Sequence, residues 1–138
     1  MIAVVIDTGV LISAIGWRGP AHRCLALIAR RQCRLVVSAD IMAEYDSRVP
    51  AVLAQEAPQA NALGALTWLR AKALWVEPAP LGKQRSRDVK DERFIAAALS
   101  AKARAIVSYD QDLLALEKPF GIPILRPTGF LLWMKAHS

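Results

Sequence analysis

SRDVKDERFIAAALSAKARAIVSYDQDLLAL, residues 86–116, carries the patterns that decide the fold. Its acid-rich lead-in holds Asp88 and Asp91. In the alanine-rich run that follows, Phe94/Ile95 and Ala98/Leu99 are spaced three and four apart, as on one buried helix face. The short apolar run Ala105-Ile106-Val107 then ends in Ser108-Tyr109-Asp110, and Asp112-Leu113-Leu114 restarts a helical pattern. Helix, buried strand, helix is the unit of an α/β sheet. In parallel sheets of that class, ligands bind in the crevice at the carboxyl ends of the strands. Asp110 therefore points to the functional edge.

The same alternation extends toward both ends of the chain. Ile2 to Ile6 is an unbroken apolar run, as expected of a strand buried on both faces. Val10 to Ile15 predicts a helix, interrupted around Gly16-Trp17-Arg18-Gly19-Pro20, and Ala21 to Arg31 a second one with Cys24, Leu27 and Ile28 on one face. Leu35-Val36-Val37 is a second strand, closed by Ser38. A helix from about Asp40 turns Met42, Tyr45 and Val49 inward and carries Glu44. Pro50 and Pro58 punctuate a helical hairpin whose longer arm runs from about Gln59 to Ala73, with Leu63, Leu66 and Leu69 or Arg70 periodic. Leu74-Trp75-Val76 is a third strand, and Ile122-Pro123-Ile124-Leu125 an edge strand because proline cannot donate to a ladder. Thr128 is placed to cap a last helix, Gly129 to Lys135. The pattern predicts one α/β domain over residues 1–138, with a mostly parallel five-stranded sheet.

Composition narrows the function. The chain is 54% hydrophobic with a mean hydropathy of +0.27, an apolar excess that a thick core or an apolar interface would absorb. No apolar run reaches the ~18 residues of a membrane-spanning helix. The start, MIAVVIDTGV, lacks a basic leader, and Cys24 and Cys33 have no metal-type spacing, so a cytoplasmic location is expected. A net charge of +6 and a pI near 9.8 favour a polyanionic partner, nucleic acid or an acidic protein segment. One basic group is Arg23, Arg30, Arg31 and Arg34; the other is Lys83, Arg85, Arg87, Lys90 and Arg93. Either group also reads as a solvated helix face.

The acids carry the chemistry. Asp7 ends the first strand, Glu44 lies on the helix after the second, Asp88 and Asp91 lead into the helix before the fourth, and Asp110 ends the fourth. Singly, each has an ordinary explanation: a turn, a solvated helix acid, or a cap at a helix N-terminus. Together they aim several carboxylates of a basic chain at one sheet edge. Two carboxylates ~4 Å apart repel by roughly 4 kcal/mol at an effective dielectric of 20. Such a cluster calls for protons or cations. Hard divalent ions, Mg²⁺ or Mn²⁺, suit oxygen donors and leave room for water and phosphate oxygens. An acidic pocket in a basic surround is what phosphodiester hydrolysis needs.

VVIDTGVLISA, SADIMAEY, RDVKDERFIAAAL and AIVSYDQDLLAL, in that order and spacing, resemble the PIN-domain nucleases. The resemblance is strongest to the small toxins of bacterial and archaeal toxin–antitoxin pairs (VapC-like). It implies a three-layer α/β/α fold whose four acids correspond to Asp7, Glu44, Asp91 and Asp110, binding Mg²⁺ or Mn²⁺ and positioning the water that attacks RNA. It matches Ser108 to a small hydroxyl residue, and Asp88 and Asp112 to accessory acids. Arg87, Lys90 and Arg93 would hold RNA phosphates near the cut. A homodimer and a cognate antitoxin covering the site are implied as well. One position departs from the family pattern: Gly9 stands where Asn or Ser is usual, so a side-chain hydrogen bond is missing unless Thr8 or a water supplies it. That departure supports the competing reading, a PIN-like RNA- or protein-binding module with little catalysis. Asp7-Thr8-Gly9 also matches the aspartic-protease signature, but that fold is β-rich and this chain is full of alanine-rich helical runs.

Overall fold

Strand β1 (Ile2–Ile6) lies at the centre of a five-stranded sheet ordered β3-β2-β1-β4-β5, in the computed structural model, which describes residues 1–137. The other strands are β2 (Cys33–Val37), β3 (Leu74–Trp75), β4 (Ala105–Val107) and β5 (Ile124–Leu125), and every pairing is parallel. The helices are α1 (Thr8–Gly16), α2 (Pro20–Ala29), α3 (Ala39–Glu56), α4 (Ala62–Lys72), α5 (Glu92–Ala101), α6 (Gln111–Leu114) and α7 (Pro127–Ala136). The connection from β1 to β2 crosses the sheet one way and that from β3 to β4 crosses back. Right-handed crossovers therefore put α5 on one face and α1 and α2 on the other. Accordingly α5 packs on β1, β2 and β4, while α7 packs on α2, β4 and β5. With both faces covered, Val4, Val5, Ile6 and all of β4 are buried, which is why those strands read as unbroken apolar runs.

Register positions the site. Ile6 pairs with Val107, so β1 and β4 end flush. Asp7 N–H still donates to the Val107 carbonyl at 3.0 Å, and Ser108 N–H to Leu125 at 2.9 Å. Two short side-chain-bearing segments thus leave the sheet together at its carboxyl edge.

Several boundaries differ from the sequence reading. Pro50 lies inside α3 rather than ending it. Tyr45, Val49 and Leu53 keep one stripe fully buried across it, and that burial outweighs the one backbone hydrogen bond a proline removes. The hairpin's second arm starts only at Ala62, where the Asn61 side chain accepts the Gly64 N–H at 2.9 Å, and Leu63 is exposed. Pro123 stands just before the edge strand, its carbonyl accepting from Ile106 at 3.0 Å. Arg126, not Thr128, is the N-cap residue of α7, with Pro127 in the first position, where its missing N–H costs nothing. Strand β2 begins two residues earlier than its apolar core, at Cys33.

Candidate active site

The acids reach the carboxyl edge from strand ends and helix starts. Asp7 caps α1, its Oδ1 accepting the Gly9 N–H at 2.8 Å, while its Oδ2 accepts the hydroxyl of Ser108. Ser108 is fully buried, and its Oγ in turn accepts the Asp110 N–H at 2.8 Å. One hydroxyl thereby fixes the ends of β1 and β4 to each other. Asp110 caps α6 through Oδ1, which accepts from Asp112 at 2.8 Å and Leu113 at 3.2 Å. Among the described residues no donor reaches its Oδ2, which is left for the pocket. Capping and ligation are compatible: the cap fixes the carboxylate's direction.

Asp91 closes a 3-10 turn, Val89–Asp91, that runs into α5, and it is buried. Its Oδ2 accepts the Ser86 hydroxyl at 3.1 Å. The Ser86 loop is itself held by Glu92, whose carboxylate accepts the N–H groups of Arg85 and Ser86. Asp88 is exposed and accepts the Lys90 N–H at 3.0 Å, so it shapes the turn that delivers Asp91. One carboxylate oxygen from each of Asp91, Asp110 and Asp112 lies within 4.8 Å of the others.

Glu44 arrives from α3 and is fastened by two other helices. Its Oε2 accepts the buried Thr8 hydroxyl at the start of α1. Its Oε1 lies 3.5 Å from Arg93 Nη1 of α5. Arg93 also donates to the carbonyls of Asp40 and Lys90, at 3.3 and 3.0 Å. Below, the buried Tyr45 hydroxyl donates to the Ile6 carbonyl and steadies the end of β1.

The electrostatics follow from this crowding. Burial raises the Asp91 carboxyl to about 6, with the charges of Asp110, Asp88 and Asp7 adding and the Ser86 hydrogen bond opposing. Burial also raises Asp7; Ser108 and the Gly9 N–H pull it back, while Asp110 and Glu44 push it further up. Asp7, Glu44, Asp91 and Asp110 therefore share one field, although they come from separate parts of the sequence. A pocket of oxygen donors with no histidine or thiol fits a hard divalent cation, which would relieve the repulsion that burial intensifies.

The residues predicted from sequence divide accordingly. Asp91 and Asp110 converge with Asp112, expected only as an accessory acid. Asp7, expected as a principal ligand, lies outside that close group and is tied to it through Ser108, and Glu44 is held on the Thr8–Arg93 support. Arg87 and Lys90 are exposed nearby, whereas Arg93 is engaged within the site. Ser86 and Glu92 were not predicted, and Tyr45 was expected to point inward but not to hold the end of β1. Ser86 sits in an irregular loop with no periodicity, and Glu92 reads as an ordinary first-turn helix acid.

The PIN domain family model matches residues 3–112. The chain belongs to the PIN domain family. The match runs from β1 into α6, so every acid of the site falls inside it, while β5 and α7 lie beyond. The crystal structure of PAE2754 from Pyrobaculum aerophilum is similar to it over 98% of this chain and 96% of that one, with a TM-score of 0.57 at 18% identity. That likeness extends the shared fold past residue 112 to the edge strand and last helix. No curated protein matches the chain. PIN domains are generally nucleases, and this one carries an acidic cluster where such chemistry would sit. Among the described residues no helix is long and apolar enough to cross a membrane.

Proposed function

We propose that this PIN domain is a metal-dependent endoribonuclease. The observation that carries the reading is the convergence of Asp91, Asp110 and Asp112 oxygens beside the Asp7–Ser108 pair. Asp7, Asp91 and Asp110 would be the principal ligands of Mg²⁺ or Mn²⁺, with Asp112 offering a further oxygen. A bound divalent ion lowers the pKa of its water and neutralises charge on the attacked phosphate. The chain's own residues do the rest. Ser108 and the Gly9 N–H pull the Asp7 carboxyl back down against the rise that burial causes. Ser86 does the same for Asp91. Glu44, held between Thr8 and Arg93, ligates the ion or orients the attacking water. Arg87 and Lys90 hold phosphates on either side of the cut, with Arg93 at the pocket wall.

The toxin-like resemblance extends the reading to a cytoplasmic homodimer whose cognate antitoxin covers the pocket. Gly9 favours a second reading, a weakly catalytic RNA- or protein-binding module. Its backbone N–H serves Asp7, but it has no side chain to hold a metal-bound water. The position has room: an added Cβ would lie 3.7 Å from Asp7 Oδ1, an ordinary contact.

Cleavage of a pool of structured RNAs separates the readings. The nuclease reading expects cutting with Mn²⁺ or Mg²⁺, none with chelator, and none by Asp110→Asn. Gly9→Asn should cut ~10–100-fold faster, the usual worth of a residue that orients a metal ligand. Cutting by Gly9→Asn alone would favour the binding module, and no cutting by either would refute the enzyme.

A further inference from the structure

The sheet edge opposite the acid pocket carries the other half of the charge. Arg30, Arg31, Arg34, Lys72, Lys102 and Arg104 all lie in the turns and strand starts of this amino edge, and all are exposed. No acidic residue occurs in those turns: residues 29–35, 71–74 and 101–104 read ARRQCRL, AKAL and AKAR. The ion pairs among the described residues are Arg70–Asp46 and Arg93–Glu44, so none of the six is neutralised by a carboxylate.

Topology brings them together. Ala3 pairs with Arg34 on one side of β1, and the Arg104 N–H donates to the Ala3 carbonyl at 2.9 Å on the other. The two arginines thus flank the central strand, about 10 Å apart at two strand spacings. Arg31, Arg34 and Lys72 share a cavity of about 410 Å³ with the indole of Trp68. On the far side of β1, Lys102 and Arg104 line a second cavity of about 480 Å³, and Arg104 lies 5.6 Å over the Trp133 ring.

Two features say that this charge is not incidental to the fold. Cations near helix C-termini answer the helix dipole, which accounts for Arg30 and Arg31 at the end of α2 as well as for Lys72 and Lys102. It does not account for Arg34, the exposed second residue of an otherwise buried parallel strand, nor for Arg104. Moreover Arg31 and Lys102 occupy left-handed backbone, φ 61° and 53°, where glycine is the easier residue.

We propose that this amino edge is a second RNA-binding surface, gripping the phosphates of a single-stranded segment at the opposite end of the sheet from the acid pocket. The proposal rests on RNA being the ligand class read for that pocket. Guanidinium forks match phosphate oxygens, and the Trp68 indole beside Arg31 and Arg34 suits a base. An acidic peptide would use the same cations but has no base to lay on the Trp68 indole, which favours RNA. Since β1 alone spans about 17 Å, one RNA would have to wrap the domain to meet both edges. A dinucleotide cannot.

Anisotropy of a labelled ~20-nucleotide single-stranded RNA, in EDTA so that cutting is excluded, tests this directly. Arg34→Glu should weaken binding at least tenfold. The double variant Arg31→Gly/Lys102→Gly puts glycine where the backbone favours it, so a folding defect cannot explain its weaker binding. Its slope of log K against log salt should fall by about 1.4, at ~0.7 for each phosphate no longer neutralised. Unchanged affinity and slope in both variants, or wild-type protein that binds polyglutamate and not RNA, would overturn the proposal. Hydrolysis of a dinucleotide with Mn²⁺ is measured in parallel and should be unaffected by the amino-edge changes. If no RNA is cut but the amino-edge variants still lose RNA binding, the nuclease reading fails and this one stands.

Discussion

Replacing Asp91 by Asn removes one carboxylate from a pocket where burial and Asp110 together hold its carboxyl up at about 6. At about 1.4 kcal/mol per pKa unit, the rise from 3.8 to about 6 bounds the cost of ionising Asp91 in the folded chain at about 3 kcal/mol. Water at the pocket mouth screens the repulsion, which leaves on the order of 1 kcal/mol at pH 7. The amide oxygen of Asn still accepts from Ser86, so no hydrogen bond is lost. Asp91→Asn should therefore melt about 3–5 °C above wild type in EDTA at neutral pH. The sign with pH follows from the direction of the shift. A carboxyl raised in the folded state contributes fully below its unfolded value of 3.8, and that contribution is lost as pH rises through about 6. The variant's advantage should then be greatest at pH 7 and close toward pH 4. Mn²⁺ should invert the ranking, since at a hundred times its Kd it stabilises wild type by about 2.7 kcal/mol and the variant by far less. Thermal unfolding by circular dichroism across this pH range, with EDTA and with Mn²⁺, measures all of it. An Asp91→Asn protein that melts at or below wild type in EDTA at pH 7 would refute the electrostatic reasoning.

Three further substitutions probe the supports. Ser108→Ala removes the hydroxyl that holds Asp7 and orients the Asp110 N–H. Asp7 should rise further, Mn²⁺ affinity at pH 7 should fall ~10-fold, and the deficit should narrow as pH is raised, which calorimetric titration at several pH values would show. Thr8→Val keeps the shape but leaves Glu44 to Arg93 alone. Cleavage should drop ~10–100-fold while Mn²⁺ uptake changes less, a split that measuring both quantities on one preparation detects. Tyr45→Phe leaves the buried Ile6 carbonyl without its donor and should cost about 1–2 kcal/mol in urea unfolding.

How legible all this was depends on whether a residue's role follows from periodicity. Asp7 and Asp110 each follow an apolar run, so strand-end logic alone places them at the ligand edge, and the parallel register then brings them together. Asp91 was legible because an alanine-rich helix begins right after it. Asp112 was expected only as an accessory acid; its turn toward Asp91 and Asp110 depends on how α6 leaves β4, which no local pattern encodes. Arg93 was expected to hold an RNA phosphate, with Arg87 and Lys90, yet Glu44 across the chain engages it. Ser86 and Glu92 shape a loop through contacts of their own, and irregular loops carry no repeating signal. Pro50 shows the same limit from the other side: its local preference predicts a break, and the buried Tyr45–Val49–Leu53 stripe overrides it.

Mn²⁺ uptake by the apo protein at pH 7.5, followed by the electron paramagnetic resonance of the free ion, bears most directly on whether the converging carboxylates form a metal site. If they do, wild type takes up Mn²⁺ saturably, Mg²⁺ competes for the site, and Asp110→Asn abolishes the uptake. Wild-type protein that binds no Mn²⁺, or an Asp110→Asn variant that binds it as wild type does, would contradict it.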